Sequence, residues 1–195
     1  MALLQGLLWP FQVWNDHVLR VGRWISIVAI ALMVVAILIQ VFFRYALNNA
    51  LPWPDEAARF LMLWLTGLMA PTAYRRGGFV AIDMLLEALP ARAGAVLSLI
   101  LLLIAGAVLA VAIPIGWGEV TGFMSRASTS TLYYWDFFAG EWEKIPRRWM
   151  FLSLFVGVIL LAIVNVELIL RSLITLLGHR DALRPIPGAD VVGAE

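Results

Sequence analysis

Charged residues along this chain are gathered into short groups that separate long apolar stretches. No charged residue occurs from Trp24 to Phe43, and Arg23 and Arg44 bound that stretch. An uncharged apolar stretch of this length between basic residues predicts a helix that crosses a lipid bilayer. Applied to the whole chain, the same pattern predicts four spanning helices, over residues 24–43, 54–76, 93–116 and 149–170.

The second predicted span has the most distinctive end. Pro54 suits the first position of a helix, where the missing N–H loses no hydrogen bond. Asp55 and Glu56 follow in the first turn, where the helix dipole favours negative charge. Residues 54–76 would form a helix of roughly 34 Å at ~1.5 Å per residue, which is long enough to cross the hydrocarbon core.

Two ion pairs are predicted around this helix start. Asp55 and Arg59 are four residues apart, with the acid first, so they can pair along one face of the helix. The connection over residues 45–53 is rich in turn-forming residues, which brings the ends of the first two helices together. We therefore expect Glu56 to pair with Arg44 across the turn.

Small residues recur at spacings of three and four in the second span and again in the last. The second span carries them at Thr66, Gly67, Ala70, Ala73 and Gly77, and the last span at Ser153 and Gly157. Such stripes let another helix approach closely in lipid. Gly67 and Gly157 are therefore candidates for contacts with a larger membrane partner.

Three segments do not fit a spanning helix. Residues 79–90 carry apolar side chains on one face and Asp83 and Glu87 on another, which predicts an amphipathic helix at the membrane interface, ended by Pro90. Residues 178–195 form a tail with proline and glycine that is expected to be mobile. Pro10 argues against one continuous helix through residues 1–23.

The connection over residues 119–146 combines seven aromatic side chains with several acids. This mixture suits either an anchor at the membrane surface or a docking surface for a partner. Beyond it, Glu167 lies late in the fourth span, one turn before Arg171. An ionisable residue inside a membrane helix is a functional candidate, but its place near the helix end predicts a salt bridge with Arg171.

Composition places the protein in lipid: 63% of the 195 residues are hydrophobic and only 14% are charged, with a mean hydropathy of +0.91. The fold class is thus an all-α membrane protein. A net charge of +1 without a basic run gives no nucleic-acid site. Cysteine is absent, and no pattern of catalytic, cofactor-binding or metal-ligating residues occurs. We expect neither an enzyme nor a cofactor.

An ordered set of residues gives a more specific indication. Arg44 ends the first helix, a W-x-x-E motif precedes the second, and R-x-x-G with a later acid follows it; the matching positions are Arg44, Trp53, Glu56, Arg59, Gly67, Arg75, Gly78 and Asp83. This set resembles the small membrane subunit, of the DctQ type, of tripartite ATP-independent periplasmic (TRAP) transporters. Many such subunits carry His where this chain has Phe79.

The resemblance implies partners and a role. A large multi-span permease subunit would carry the substrate and sodium sites, and a periplasmic binding protein would deliver an organic acid. The small subunit would brace the large one within the lipid bilayer. The alternative is an independent membrane protein, such as a homo-oligomeric channel or the membrane anchor of an enzyme.

Orientation follows from the basic residues, which are enriched on the cytoplasmic side of membrane proteins. Eight of them fall on the side of the N-terminus and six on the other side. The first group is Arg20, Arg23, Arg75, Arg76, Arg92, Arg171, Arg180 and Arg184; the second is Arg44, Arg59, Arg126, Lys144, Arg147 and Arg148. This bias predicts a multi-pass protein with both termini in the cytoplasm, and the resemblance implies that its membrane is the bacterial inner membrane.

Overall fold

The computed structural model describes residues 2–77, 90–136, 140–177 and 183–186. Its four long helices are α1 (Ala2–Tyr45), α2 (Trp53–Arg75), α3 (Ala91–Thr121) and α4 (Arg148–Leu176). A 3-10 turn (Met124–Arg126) and two strands, β1 (Ser128–Asp136) and β2 (Glu141–Pro146), lie between α3 and α4. The interfacial helix predicted over 79–90, with Asp83, falls outside the described residues apart from Pro90, and so does most of the predicted tail.

Helix α1 is longer than the pattern of charges predicted. It runs without interruption from Ala2 to Tyr45 and contains Pro10, so the expected break at that proline is wrong. A proline removes one backbone hydrogen bond from a helix. In apolar surroundings the other backbone groups still need partners, and remaining helical supplies them.

Three helices in the described part of the chain are long and apolar enough to cross a membrane. They comprise Leu8–Tyr45 of α1, Ala93–Thr121 of α3 and Arg148–Leu176 of α4. Helix α2 is not among them, because it is less apolar than the other three and carries charged residues in both its first and its last turn. It packs against α1 and α4, and α3 packs against α4.

Helices α2 and α4 cross at two glycines, which let the two backbones come into direct contact. A Cβ atom added to Gly67 would lie 2.5 Å from the carbonyl oxygen of Ser153, and one added to Gly157 would lie 2.9 Å from the Cα of Gly67. Gly67 and Gly157, which the sequence suggested for a partner contact, thus meet each other within the chain. Close backbone approach of this kind is how helices gain packing energy in lipid.

The hairpin of β1 and β2 was not predicted, and it adds a small antiparallel sheet to a mostly helical protein. Trp135 pairs with Trp142, and their rings meet edge to face at 5.4 Å. The hydroxyl of Tyr134 donates to Glu143 Oε2 at 3.1 Å, and this bond is the main reason that the pKa of Tyr134 is raised. Gly140, at φ +69° just before β2, adopts a backbone conformation that favours glycine.

The glycine contact can be tested by adding a single methyl group. We expect Gly67→Ala to cost about 1–3 kcal/mol, since the new Cβ meets backbone atoms of α4 that cannot rotate away. Gly118→Ala in α3 is the matched control, because a Cβ there meets nothing within 4 Å. Thermal unfolding in detergent measures both. Equal melting temperatures for the two variants would contradict the contact.

Candidate functional site

The carboxylate of Glu167, which is completely buried, lies at the centre of a polar network at one end of the helices. Arg75 Nη2 donates to its Oε1 at 2.9 Å, and Arg171 Nε donates to the same oxygen at 3.0 Å. Asn15 Nδ2 donates to Oε2 at 2.6 Å, and Arg75 Nε lies 2.8 Å from that oxygen. Both oxygens are therefore compensated, as a buried charge requires.

Arg75 connects this carboxylate on α4 to a second one on α1. Its Nη1 donates to Asp16 Oδ1 at 2.5 Å, and its side chain is only 6% exposed. The two acids and two arginines of the network, Asp16, Glu167, Arg75 and Arg171, cancel in formal charge. One residue of α2 thus joins α1 to α4 by salt bridges, in addition to the direct bond from Asn15 to Glu167.

A second group of hydrogen bonds, at the same end, extends the connection to α3. Tyr74 donates its hydroxyl hydrogen to Asn165 Oδ1 at 2.6 Å, and Asn165 Nδ2 donates to the carbonyl oxygen of Leu102 at 3.2 Å. A Cβ added to Gly106 would come within 2.8 Å of that nitrogen, so glycine leaves the room that Asn165 occupies. A side chain of α4, itself held by Tyr74 of α2, therefore binds the backbone of α3.

Glu56, at the opposite end of α2, holds the hairpin. Its carboxylate accepts the backbone N–H of Ser130 at 3.0 Å and that of Thr131 at 2.7 Å. The hydroxyl of Thr131 adds a third bond at 2.5 Å. These donors are available because the strand pairing is irregular between Ser128 and Tyr133, which leaves N–H groups outside the ladder.

The ion pairs predicted around Glu56 do not form in the structure. Among the described residues, the ion pairs involve neither Arg44 with Glu56 nor Asp55 with Arg59. Both predictions were wrong, and for Glu56 the reason is that β1 brings backbone donors onto it, which the local sequence does not reveal. The guanidinium of Arg44 instead lies 6.0 Å from the ring centroid of Tyr45.

The structure separates the predicted candidates into groups. Arg75, Gly67, Gly157 and Glu56 lie at the contacts above, whereas Arg44, Trp53, Asp55 and Arg59 are exposed. The predicted pairing of Glu167 with Arg171 is confirmed, but that prediction was incomplete, because Glu167 is buried and has two further partners.

Asn15 and Asp16 were missed altogether. Their signal was a pair of polar residues inside the long apolar stretch that became α1, and the assumed break at Pro10 hid it. Their bonds to Glu167 and Arg75 connect α1 to the network; Asn15 is 1% exposed and Asp16 22%.

The network around Glu167 holds the helices in fixed positions. Each charged group of the network is paired with an opposite charge, and within the described ranges no group of His, Cys, Asp and Glu could hold a metal ion. A carboxylate held by two arginines keeps its position. Such an arrangement stabilises helix packing and presents no free charge to a solute.

Removing the central arginine tests the network. We expect Arg75→Met to cost about 3–5 kcal/mol, since it leaves Asp16 without its cation and Glu167 with Arg171 alone. Arg59→Met is the matched control on the same helix, where an exposed arginine without an acid partner should matter by less than about 0.5 kcal/mol. Thermal unfolding of the purified protein gives both values, and similar losses would contradict a buried network.

A double variant separates pairing from packing. Because Arg75→Met and Glu167→Met each leave an unpaired charge, the double variant should lose less than the sum of the two, by about 0.5–3 kcal/mol. Strictly additive losses would mean that the two side chains do not interact.

The hairpin contact has its own matched pair of variants, since Asp55 and Glu56 share the first turn of α2. Asp55→Ala should lose only the helix-dipole term of about 0.3–1 kcal/mol. Glu56→Ala also leaves the donors of β1 unpaired, and we expect a further loss of about 1–3 kcal/mol. Hydrogen exchange at the amides of Ser130 and Thr131 should accelerate in Glu56→Ala alone. Equal acceleration in both variants would assign the effect to the helix end.

Comparisons with known proteins agree with the sequence pattern and the fold. The family model of tripartite ATP-independent periplasmic transporters, DctQ component, matches residues 18–175. Comparison with curated proteins and with solved structures gives no match. The matched range includes α2, α3, the hairpin and nearly all of α4, together with Arg75, Glu167 and Arg171 of the network. This chain therefore belongs to the DctQ family, the small membrane component of TRAP transporters.

Proposed function

We propose that this chain is the accessory scaffold subunit of a sodium-driven TRAP transporter, which takes up an organic acid delivered by a periplasmic binding protein. One observation supports this role above the others. The buried charges of Arg75, Glu167 and their partners are neutralised by one another, so they hold helices together instead of forming a path for an ion or a solute. Substrate and sodium would then be bound by the large permease subunit, and this chain would catalyse no reaction.

A scaffold of this kind needs α2 as the fourth crossing. The residues from Phe60 to Tyr74 include no charge, and α1 and α4 both pack against α2. Polar side chains of a membrane helix are tolerated when neighbouring helices cover and pair them. We therefore place the Arg75 network at one membrane boundary and Glu56 at the other.

The distribution of basic residues then gives the orientation. With both termini in the cytoplasm of a bacterial cell, the Arg75 network lies at the inner boundary of the inner membrane, and the hairpin lies on the periplasmic side. Glu56 would hold the exposed rings of Trp135 and Trp142 close to the periplasmic boundary of the inner membrane. There they suit either role predicted from the sequence, anchoring at the membrane surface or docking of a partner.

The large permease subunit needs an apolar surface to pack against, and two helices offer one. Large hydrophobic side chains are exposed along α1 and α3, such as Leu38 (62%) and Val108 (63%). In lipid, such faces are covered either by acyl chains or by another membrane protein. The interior contacts of α2 and α4 would stay intact when that partner binds.

Reconstitution into liposomes tests the proposed role. Alone, this chain should neither move an organic acid nor conduct sodium. With the large subunit, the binding protein and an inward sodium gradient, uptake should appear, and it should fall with Arg75→Met while Arg59→Met retains it. Sodium-driven uptake by this chain alone would contradict the scaffold role and favour the alternative of an independent channel.

A further inference from the structure

A group of arginines next to the buried network is left without acidic partners. Among the described residues, the ion pairs include none of Arg20, Arg23 and Arg76. Arg23 and Arg75 are the charged neighbours whose fields act on Arg76. The network's own charges already cancel, so Arg23 and Arg76 together present an excess of positive charge between α1 and α2.

The helix geometry explains why Arg23 reaches Arg76. Gly22 of α1 packs beside Leu68 of α2, and Asp16 of α1 meets Arg75 of α2, so the two helices run antiparallel. Side chains of a helix tilt toward its N-terminus, which directs Arg23 along α1 toward the level of Asp16. That direction is also toward the C-terminal end of α2, where Arg76 lies.

Arg23 is, in addition, incompletely satisfied. Its Nε atom is buried and has no hydrogen-bond partner, although a buried charged donor needs one. The guanidinium group is suited to phosphate, because its planar N–H groups can bind two oxygens at once. A phosphate placed between Arg23 and Arg76 would compensate both charges through the outer N–H groups of the two guanidinium ions.

An apolar surface begins directly after this basic group. Trp24, Ile25 and Val28 line a shallow groove on α1 without polar atoms, and Trp24 is 66% exposed. Tryptophan is enriched where headgroups meet acyl chains. A molecule that fits both features has an anionic head and a hydrocarbon tail.

We propose that Arg23 and Arg76, with Arg20 beside them, bind the phosphate of an anionic phospholipid whose acyl chain lies along Trp24, Ile25 and Val28. The site favours an anionic over a zwitterionic lipid because two guanidinium charges lack any protein partner among the described residues. The lipid would complete the surface of α1 next to the Asp16–Arg75 pair. This assignment does not depend on substrate or on transport.

Native mass spectrometry of the purified full chain, titrated with phosphatidylglycerol or phosphatidylcholine, tests the site. We expect the wild type to retain phosphatidylglycerol more strongly, and Arg23→Gln with Arg76→Gln to reduce that preference by about fivefold for each guanidinium removed. Arg126→Gln is the matched control, because Arg126 is an exposed arginine next to the hairpin and should leave the preference unchanged.

A conservative variant and a competition with free phosphate complete the test. Arg23→Lys retains the charge, so it should keep most of the preference even if the double variant is recovered poorly. Inorganic phosphate at millimolar concentration should not displace the lipid, since it lacks the acyl chain. Equal retention of the two lipids by the wild type, an equal loss in Arg126→Gln, or displacement by free phosphate would each overturn the proposal.

Discussion

The structure depends on compensating the carboxylate of Glu167, which is buried among apolar helices. Removing such a group from water is costly unless several hydrogen bonds and opposite charges compensate it. Asn15, Arg75 and Arg171 supply them from α1, α2 and α4. To bring Arg75 onto Glu167, α2 has to approach α4 closely, and that approach is possible only where the facing residues are as small as Gly67 and Gly157. The electrostatic requirement and the glycine contact are therefore parts of one arrangement.

Helix α2 is the least apolar of the four helices and the one most firmly tied to its neighbours. Arg75 joins its last turn to α1 and α4, and Glu56 joins its first turn to the hairpin. Each acid uses the donors that its surroundings provide: arginine and asparagine side chains for Glu167, and backbone N–H groups of an irregular strand for Glu56. A helix fixed at both ends suits a component that holds its surroundings still, which is consistent with membership of a family of transporter components and with the proposed scaffold role.

Local signals in the sequence predicted much of the helical layout and little of the site. Long uncharged stretches mark helices because hydropathy is a property of neighbouring residues, and Glu167 with Arg171 was predictable because they lie one turn apart. The partners of Arg75 lie 59 and 92 positions away, and no local spacing identifies them. Glu56 was assigned to Arg44 for the same reason, since its true partners in β1 are 74 and 75 positions away. The hairpin had a usable signal in the β-branched and aromatic residues of STSTLYYWD. We assigned them only to a membrane-surface anchor or a docking surface.

If the buried network holds the helices together, as proposed, it forms no part of an aqueous path. Because this chain contains no cysteine, a single introduced cysteine can report on water access at its position without further changes to the chain. Val164 is fully buried and lies one turn before Glu167 on the same face of α4, so Val164→Cys places a thiol beside the network. In liposomes that contain the assembled transporter, a charged maleimide should leave this thiol unmodified from either side, while it labels Ser128→Cys on the exposed hairpin. Labelling of Val164→Cys at a comparable rate, with protection by the transported acid, would contradict the account.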